Sequence, residues 1–394
     1  MSKPYLKSPQ FAAELAKCLQ CPSKPCAQAC PVKCSPHDFI AAAKSGHITQ
    51  AAELIAAQNP LGEVCGLICP DKFCMRACLR QHIDASICIP LVQAEIMRQA
   101  RNIASKQPSL IPFNGRKIAV IGLGPSGIGA TSELLKHGFA VTIFEKQSSA
   151  GGALNLIPFS RLPRQVIAYE WQILAENPLI ETHFDTIVEN YSELLRQGFS
   201  AVIVTIGEQK TRTLGIEGEN LAINYVEYLQ NPQKYLTTGN IAIIGGGAAA
   251  VDCAVTAVTG GAANVEMFVR RRLSDMRITK QERDLLLNNH IDITTMTRVT
   301  KIEKSANTLT AHTCKTTFNS EGKLTDIEQT EIARRGFSYV ILALGSVRDK
   351  ELSELPNIYY AGDYLTGSST AVEALASGKK AAAEVIGRFA SATK

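Results

Sequence analysis

The 394-residue sequence has no apolar run of the roughly 18–20 residues that a membrane span needs. Its N-terminus, MSKPYLKSPQ, lacks the apolar core of a secretory signal, so the chain is expected to stay in the cytoplasm and off membranes. A large excess of charge of either sign is missing too. The formal net charge is +5, with basic residues scattered apart from one arginine cluster, which argues against a nucleic-acid partner. Beyond Cys88 the chain holds only two cysteines, Cys253 and Cys314. No Cys-x-x-Cys pair stands there to serve a flavin, which argues against a stand-alone disulfide reductase.

The other ten cysteines crowd between Cys18 and Cys88. In a reducing compartment such density reads as metal binding rather than as a disulfide framework. One group runs Cys18-x2-Cys21-x4-Cys26-x3-Cys30-Pro31, and a second runs Cys65-x3-Cys69-Pro70-x3-Cys74-x3-Cys78. These spacings let several thiolates meet one inorganic core, and a Cys-Pro at the end of a run is a ferredoxin feature. Tetrahedral zinc is the alternative. The surrounding segments, such as DFIAAAKSGHITQAAELIAA, carry apolar residues at helical spacing.

After a Pro- and Gly-bearing linker from Ser105 to Arg116 the character changes. The segment KIAVIGLGPSGIGATSELLKHGFAVTIFEK reads as strand, glycine turn, helix and strand. Gly122, Gly124 and Gly127, with Pro125 and Ser126 between them, open the helix where a pyrophosphate meets free N–H groups. Glu145 ends the second strand 23 residues after Gly122, placed to accept ribose hydroxyls, and Lys146 follows it. The pattern returns at NIAIIGGGAAAVDCA, with Gly245, Gly246, Gly247 and Ala248 in the turn. Here the second strand ends in Arg270-Arg271-Arg272, where an acid would repel a 2′-phosphate and arginine would bind it. This favours NADPH over NADH; the other reading is a solvated basic face. The later runs FSYVILALG and NIYYAGD are expected to be the first α/β domain resuming after an inserted second one.

These pieces, CLQCPSKPCAQACP, NPLGEVCGLICP, VIGLGPSGIGA, GGALNLIPFSRLP, IIGGGAAAVDCA and YYAGDYLTGSSTAVEALASGKKAA, occur in order over more than 300 residues. In them the chain resembles the FAD/NAD(P)H subunit of bacterial dihydropyrimidine dehydrogenase and the related glutamate synthase small subunit. The resemblance implies an α/β fold with an N-terminal all-α iron–sulfur domain and two Rossmann-like domains, the second inserted in the first, as in glutathione reductase. It implies a double [4Fe–4S] domain over residues 1–112, an FAD domain over 113–238 and 335–394, and an NAD(P)H domain over 239–334.

By the same resemblance Cys18, Cys21, Cys26 and Cys78 hold one cluster. Cys30, Cys69, Cys74 and Gln93 hold the other, leaving Cys34, Cys65 and Cys88 spare. Gly122, Gly124, Pro125, Ser126, Gly127, Glu145, Lys146, Gly152, Gly362, Asp363, Thr370, Ala371 and Val372 are expected around FAD. Gly245, Gly246, Gly247, Ala248, Arg270 and Arg271 are expected around NADPH. Hydride transfer requires positioned rings rather than an acid–base residue, so no catalytic side chain is named. All 394 residues are taken up by these modules. The reduced substrate, uracil or thymine, is therefore expected on a partner, an FMN-containing barrel subunit. The glutamate synthase large subunit, or service as a general NADPH:acceptor reductase, is the alternative. Ala248, where the family usually has Asn or Asp, and Leu156, where it usually has Gly, are departures from the pattern.

Overall fold

The computed structural model describes residues 5–101, 111–349, 351–352 and 355–390; the first half of the expected linker lies outside them. Two compact units result. One comprises residues up to 155, 159–209 and from 348 onward, and the other comprises 156–158 and 210–347.

The first unit begins with helices Ser8–Ala16, Pro36–Lys44, Ile48–Ala56, Gly62–Ile68 and Ile89–Ala100. Proline stands in the first turn of several of them, where its missing N–H costs nothing. Phe11, Leu15, Phe39, Ile40, Ile55, Ile89, Val92 and Ile96 form their shared core. That core is small, and both cysteine groups hang on its loops and helix ends.

The rest of this unit is a five-stranded parallel sheet ordered Ile358–Tyr360, Ala201–Val204, Lys117–Ile121, Ala140–Phe144 and Ile180–His183. Its inner strands Lys117–Ile121 and Ala201–Val204 are apolar without alternation because both faces are covered: Ile118, Ala119, Val120, Val202 and Ile203 are fully buried. Helices Pro125–Leu135 and Ala371–Ala390 pack tightly against one another. The glycine turn sits at the carboxyl end of the central strand, where open α/β sheets bind ligands.

In the second unit the strand Asn240–Ile244 lies between Asn264–Val269 and Ile332–Leu342, all parallel, with Asp292–Thr295 beyond. Antiparallel strands Thr308–Phe318 and Thr297–Ser305 extend the sheet past Ile332–Leu342. The run FSYVILALG therefore does not return the chain to the first sheet. Its residues pair in register with Asn240–Ile244, and the return comes at Ile358–Tyr360. Both runs are short, apolar and followed by glycine, so their pattern carries strand identity but not sheet membership.

The helix Lys280–Asn288 starts with a reciprocal cap: Thr279 Oγ1 accepts from the Glu282 N–H at 3.1 Å, and Glu282 Oε2 accepts from the Thr279 N–H at 2.8 Å. Thr279→Ala is expected to cost this unit about 1 kcal/mol, read as a lower denaturation midpoint with unchanged denaturant slope. Among the described residues no helix is long and apolar enough to cross a membrane.

Candidate functional site

The first glycine turn leaves its strand at Gly122, whose φ is 96°, and enters the helix capped by Gly124. A Cβ at Gly127 would stand 2.0 Å from the Gly122 carbonyl oxygen, so only glycine lets the helix start this close to the strand. Gly152 comes in from the GGALNL segment, where a Cβ would lie 3.1 Å from Gly124 Cα. Gly362 arrives from the far end of the chain, where a Cβ would lie 2.7 Å from Ser126 Cβ. Three segments thus meet at one strand end. Ser126 is 4% exposed, and its hydroxyl has no hydrogen-bond partner. An unpaired buried donor beside free helical N–H groups fits a bound pyrophosphate.

Glu145 is buried and already employed: Oε2 accepts from the Leu123 N–H at 2.6 Å and Oε1 from the Gln147 N–H at 2.8 Å. It holds the turn in shape, and each oxygen keeps a lone pair for a ribose hydroxyl. Lys146, itself exposed, instead donates to the amide oxygen of the half-buried Gln209. Burial pushes the Asp363 carboxyl up, while Ser369 donates to it at 2.5 Å. Thr370 and Glu373 cap the start of the long Ala371–Ala390 helix: Glu373 Oε2 accepts from the Thr370 N–H at 2.9 Å and from its hydroxyl at 2.7 Å. Val372 is buried beneath this start.

In the second unit Gly247 caps the helix Ala248–Thr259, and the side chain of Val269 crowds Gly246. Of the three expected arginines, Arg272 is occupied: its guanidinium lies 4.7 Å from the centre of the Phe318 ring. Arg270 is exposed and Arg271 half-buried. A fourth arginine was not anticipated. Arg277 joins Gly247 by a backbone bridge, which brings an exposed cation beside the turn. No motif or period marks it in the sequence; only the chain's return past Gly247 shows it.

Cys18, Cys21, Cys26 and Cys78 line one cavity, rimmed by Lys24, His37 and Arg80. The amide of Gln20 donates to Cys18 Sγ at 3.1 Å. Cys30, Cys69 and Cys74 make up a second, looser group through their mutual effect on titration; among the described residues no three His, Cys, Asp or Glu side chains stand close enough to hold a metal ion as they are. Burial pushes the Cys74 thiol up to about 12, and the Cys30 and Cys26 thiols add to the effect. Burial raises Cys69 too, and Cys65, Cys74 and Cys30 add to the effect. Cys30 goes down to about 7, chiefly because the Cys34 thiol hydrogen-bonds to it. Buried thiolates are costly alone, and a bound cationic core removes that cost.

Gln93 is buried and donates its amide N–H to the Gly62 carbonyl oxygen at 2.6 Å, while its amide oxygen keeps its acceptor capacity. Cys34 and Cys65, spare by sequence, are buried beside this second group. Cys88 is apart from it, its backbone N–H held by Glu14.

Comparison with known proteins identifies the family. Residues 2–105 match the family described as dihydropyrimidine dehydrogenase domain II, 4Fe-4S cluster, and residues 116–378 match pyridine nucleotide-disulphide oxidoreductase. The chain is 30% identical over 383 residues to a Salmonella typhi homologue of the NAD-dependent dihydropyrimidine dehydrogenase subunit PreT, covering 94% of this chain and 92% of that one. It is 29% identical to the glutamate synthase [NADPH] small chain of Halomonas elongata, covering 71% of this chain and 63% of that one. FprA of Mycobacterium tuberculosis, solved with NADPH, shares the fold at 18% identity and a TM-score of 0.59, covering 72% of this chain and 86% of FprA. The chain is an oxidoreductase of the pyridine nucleotide-disulphide oxidoreductase family, in the branch with an N-terminal 4Fe-4S domain to which the PreT subunits belong.

Proposed function

We propose that the chain is the electron-input subunit of a dihydropyrimidine dehydrogenase. It takes hydride from NADPH and delivers single electrons to a partner that reduces uracil or thymine. The observation that carries this reading is the placement of two cysteine groups and Gln93 in the same compact unit as the Gly122–Gly127 turn. The likeness to PreT runs nearly end to end, whereas that to the glutamate synthase small chain covers 71% of the chain.

Bound FAD would accept an electron pair and release it singly, and [4Fe–4S] clusters would carry single electrons. The chain's own residues do the rest. Gly122, Gly124, Pro125, Ser126, Gly127, Gly152, Gly362 and Asp363 hold the flavin nucleotide's phosphates, and Glu145 holds its ribose, with Lys146 beside it. Ala371 and Val372 offer helical N–H groups, which favour an anionic ring, and Thr370, its own N–H given to Glu373, caps that helix start. Cys18, Cys21, Cys26 and Cys78 hold one cluster; Cys30, Cys69, Cys74 and Gln93 hold the second. The stretch up to residue 112 serves the clusters, the remainder of the first unit serves FAD, and the second serves NADPH. The partner is an FMN-containing barrel subunit, and the site of action is the cytoplasm, where thiols stay reduced.

Gly245, Gly246, Gly247 and Ala248 take the NADPH pyrophosphate, and Arg270, Arg271 and Arg277 take the 2′-phosphate. The PreT relatives are named NAD-dependent, so this chain would differ from them in the nucleotide it prefers. Hydrogen bonds to charged groups are worth roughly 1.5–3 kcal/mol, so Arg277→Ala should raise KM for NADPH about ten- to a hundredfold and leave NADH unaffected. Steady-state kinetics with both nucleotides checks this. The proposal as a whole is tested by anaerobic purification from the native cells. An FMN-bearing partner and NADPH-dependent uracil reduction support it; a large amidotransferase partner transfers the reading to glutamate synthesis.

A further inference from the structure

Between helices Ile48–Ala56 and Gly62–Ile68 the chain turns through residues 57–61. The last carbonyls of one helix and the first N–H groups of the next have no partners within their own helices. Three side chains of the α/β part of the same unit supply them. Lys136 Nζ donates to the Ala57 carbonyl at 2.8 Å, and Lys379 Nζ to that of Gln58 at 2.9 Å. Glu170, from helix Arg164–Ala175, accepts the Glu63 N–H at 2.6 Å on one oxygen and the Val64 N–H at 3.0 Å on the other. Each charge has the sign its helix end favours.

Glu170 is the member that stands out. It is 4% exposed, and no step of the electron route uses it. Burial pushes its carboxyl up to about 8, against the two N–H groups that favour its charge. A buried carboxyl is a costly way to fasten two elements unless their relative placement matters.

The helix it grips ends at Cys69, its C-cap, and its Gly62 carbonyl receives the Gln93 amide. Gly66 of the same helix lies against the Gln93 helix so closely that a Cβ would stand 2.5 Å from the Ala94 nitrogen. One short element therefore joins Glu170 to two of the expected ligands, Cys69 and Gln93. The loop between Cys69 and Cys74 is tied on independently, by Lys72 to Glu373 at 3.1 Å.

We propose that Glu170 is a positioning residue, fixing the Gly62–Ile68 helix, and with it the Cys69–Gln93 cluster site, at a set distance from the flavin nucleotide. This rests on the flavin and cluster assignments proposed above. Single-electron transfer weakens steeply with distance, so slack at this joint slows cluster reduction while leaving hydride uptake alone.

The experiment uses the full, cofactor-loaded chain and the variants Glu170→Ala and Glu170→Gln, with amide hydrogen exchange and anaerobic stopped-flow. In Glu170→Ala the Glu63 and Val64 amides should exchange about ten- to a hundredfold faster, as expected when buried N–H groups lose an acceptor. NADPH should reduce the flavin at the wild-type rate, while cluster reduction slows on the order of ten- to a hundredfold. Glu170→Gln keeps one acceptor oxygen and should recover part of the loss. Should Glu170→Ala fail to fold, the paired Lys136→Met and Lys379→Met variant loosens the same turn and should show the same split.

Wild-type cluster reduction in a folded Glu170→Ala protein, even one of lower thermal stability, overturns the proposal. So does an exchange rate unchanged at Glu63 and Val64. If NADPH leaves the wild-type flavin oxidised, the functional reading fails instead. The proposal is then decided by exchange together with cluster reduction from a chemically reduced flavin.

Discussion

A Cys78→Ser chain is expected to lose the cluster held by Cys18, Cys21, Cys26 and Cys78 while still binding FAD and still being reduced by NADPH. Cys78 shares a cavity with the other three thiols but lies on the far side of the domain's sequence, behind the helix of Gly62. It is 7% exposed and belongs to the helical core, so serine fits its volume but supplies a poorer ligand. Bound iron should fall by about half, in line with two clusters of equal size. Electron delivery to a one-electron acceptor should drop on the order of a hundredfold or more, because the relay loses one of its carriers. Iron analysis, electron paramagnetic resonance and acceptor reduction read these three effects separately. Retention of all the iron would show that the cavity holds no cluster.

Gly378→Ala should weaken flavin binding roughly tenfold or more, from the middle of a helix whose start alone was expected at the flavin. A Cβ at Gly378 would stand 1.9 Å from the Ser126 carbonyl oxygen and 3.0 Å from Ser126 Cα. The contact is mutual, since a Cβ at Gly129 would stand 2.4 Å from the Leu375 carbonyl oxygen. The two helices therefore touch backbone to backbone. Neither partner is a flexible side chain that can yield.

Overpacking of this kind costs about 1–3 kcal/mol, and it pushes directly on the turn that carries Gly122, Gly124 and Gly127. Flavin content per chain should fall roughly tenfold or more, as about 1.4 kcal/mol lost at the site already weakens binding tenfold. Gly387 lies on the same helix with no atom within 4 Å of its Cβ position. Gly387→Ala should keep the flavin and gain about 0.5–1 kcal/mol from helix propensity. Absorbance of the purified variants gives the flavin ratio, and equilibrium unfolding gives the stability.

The glycine turns were legible because their spacing follows from one local geometry, a strand meeting a helix over a phosphate. The cysteine groups were legible for a similar reason, since close spacing alone brings thiols together. What the sequence did not carry was pairing at a distance. FSYVILALG reads as a strand in any sheet, and only its register with Asn240–Ile244 assigns it to the second. Arg277 is invisible until the chain passes Gly247 again. Cys34 and Cys65 read as spare because the ligand set implied by the resemblance omits them, and spacing alone does not tell a ligand from a buried neighbour. Glu170 sits in an ordinary amphipathic helix, 106 residues from the Val64 N–H it accepts.

The central claim is a route from pyridine nucleotide to iron–sulfur cluster within one chain. Anaerobic addition of NADPH to the purified, cofactor-loaded protein, followed by electron paramagnetic resonance of the frozen sample, tests it most directly. The account predicts loss of the flavin's oxidised absorbance together with the signal of reduced [4Fe–4S] clusters. Bleached flavin with clusters that stay oxidised, although dithionite reduces them, would contradict it.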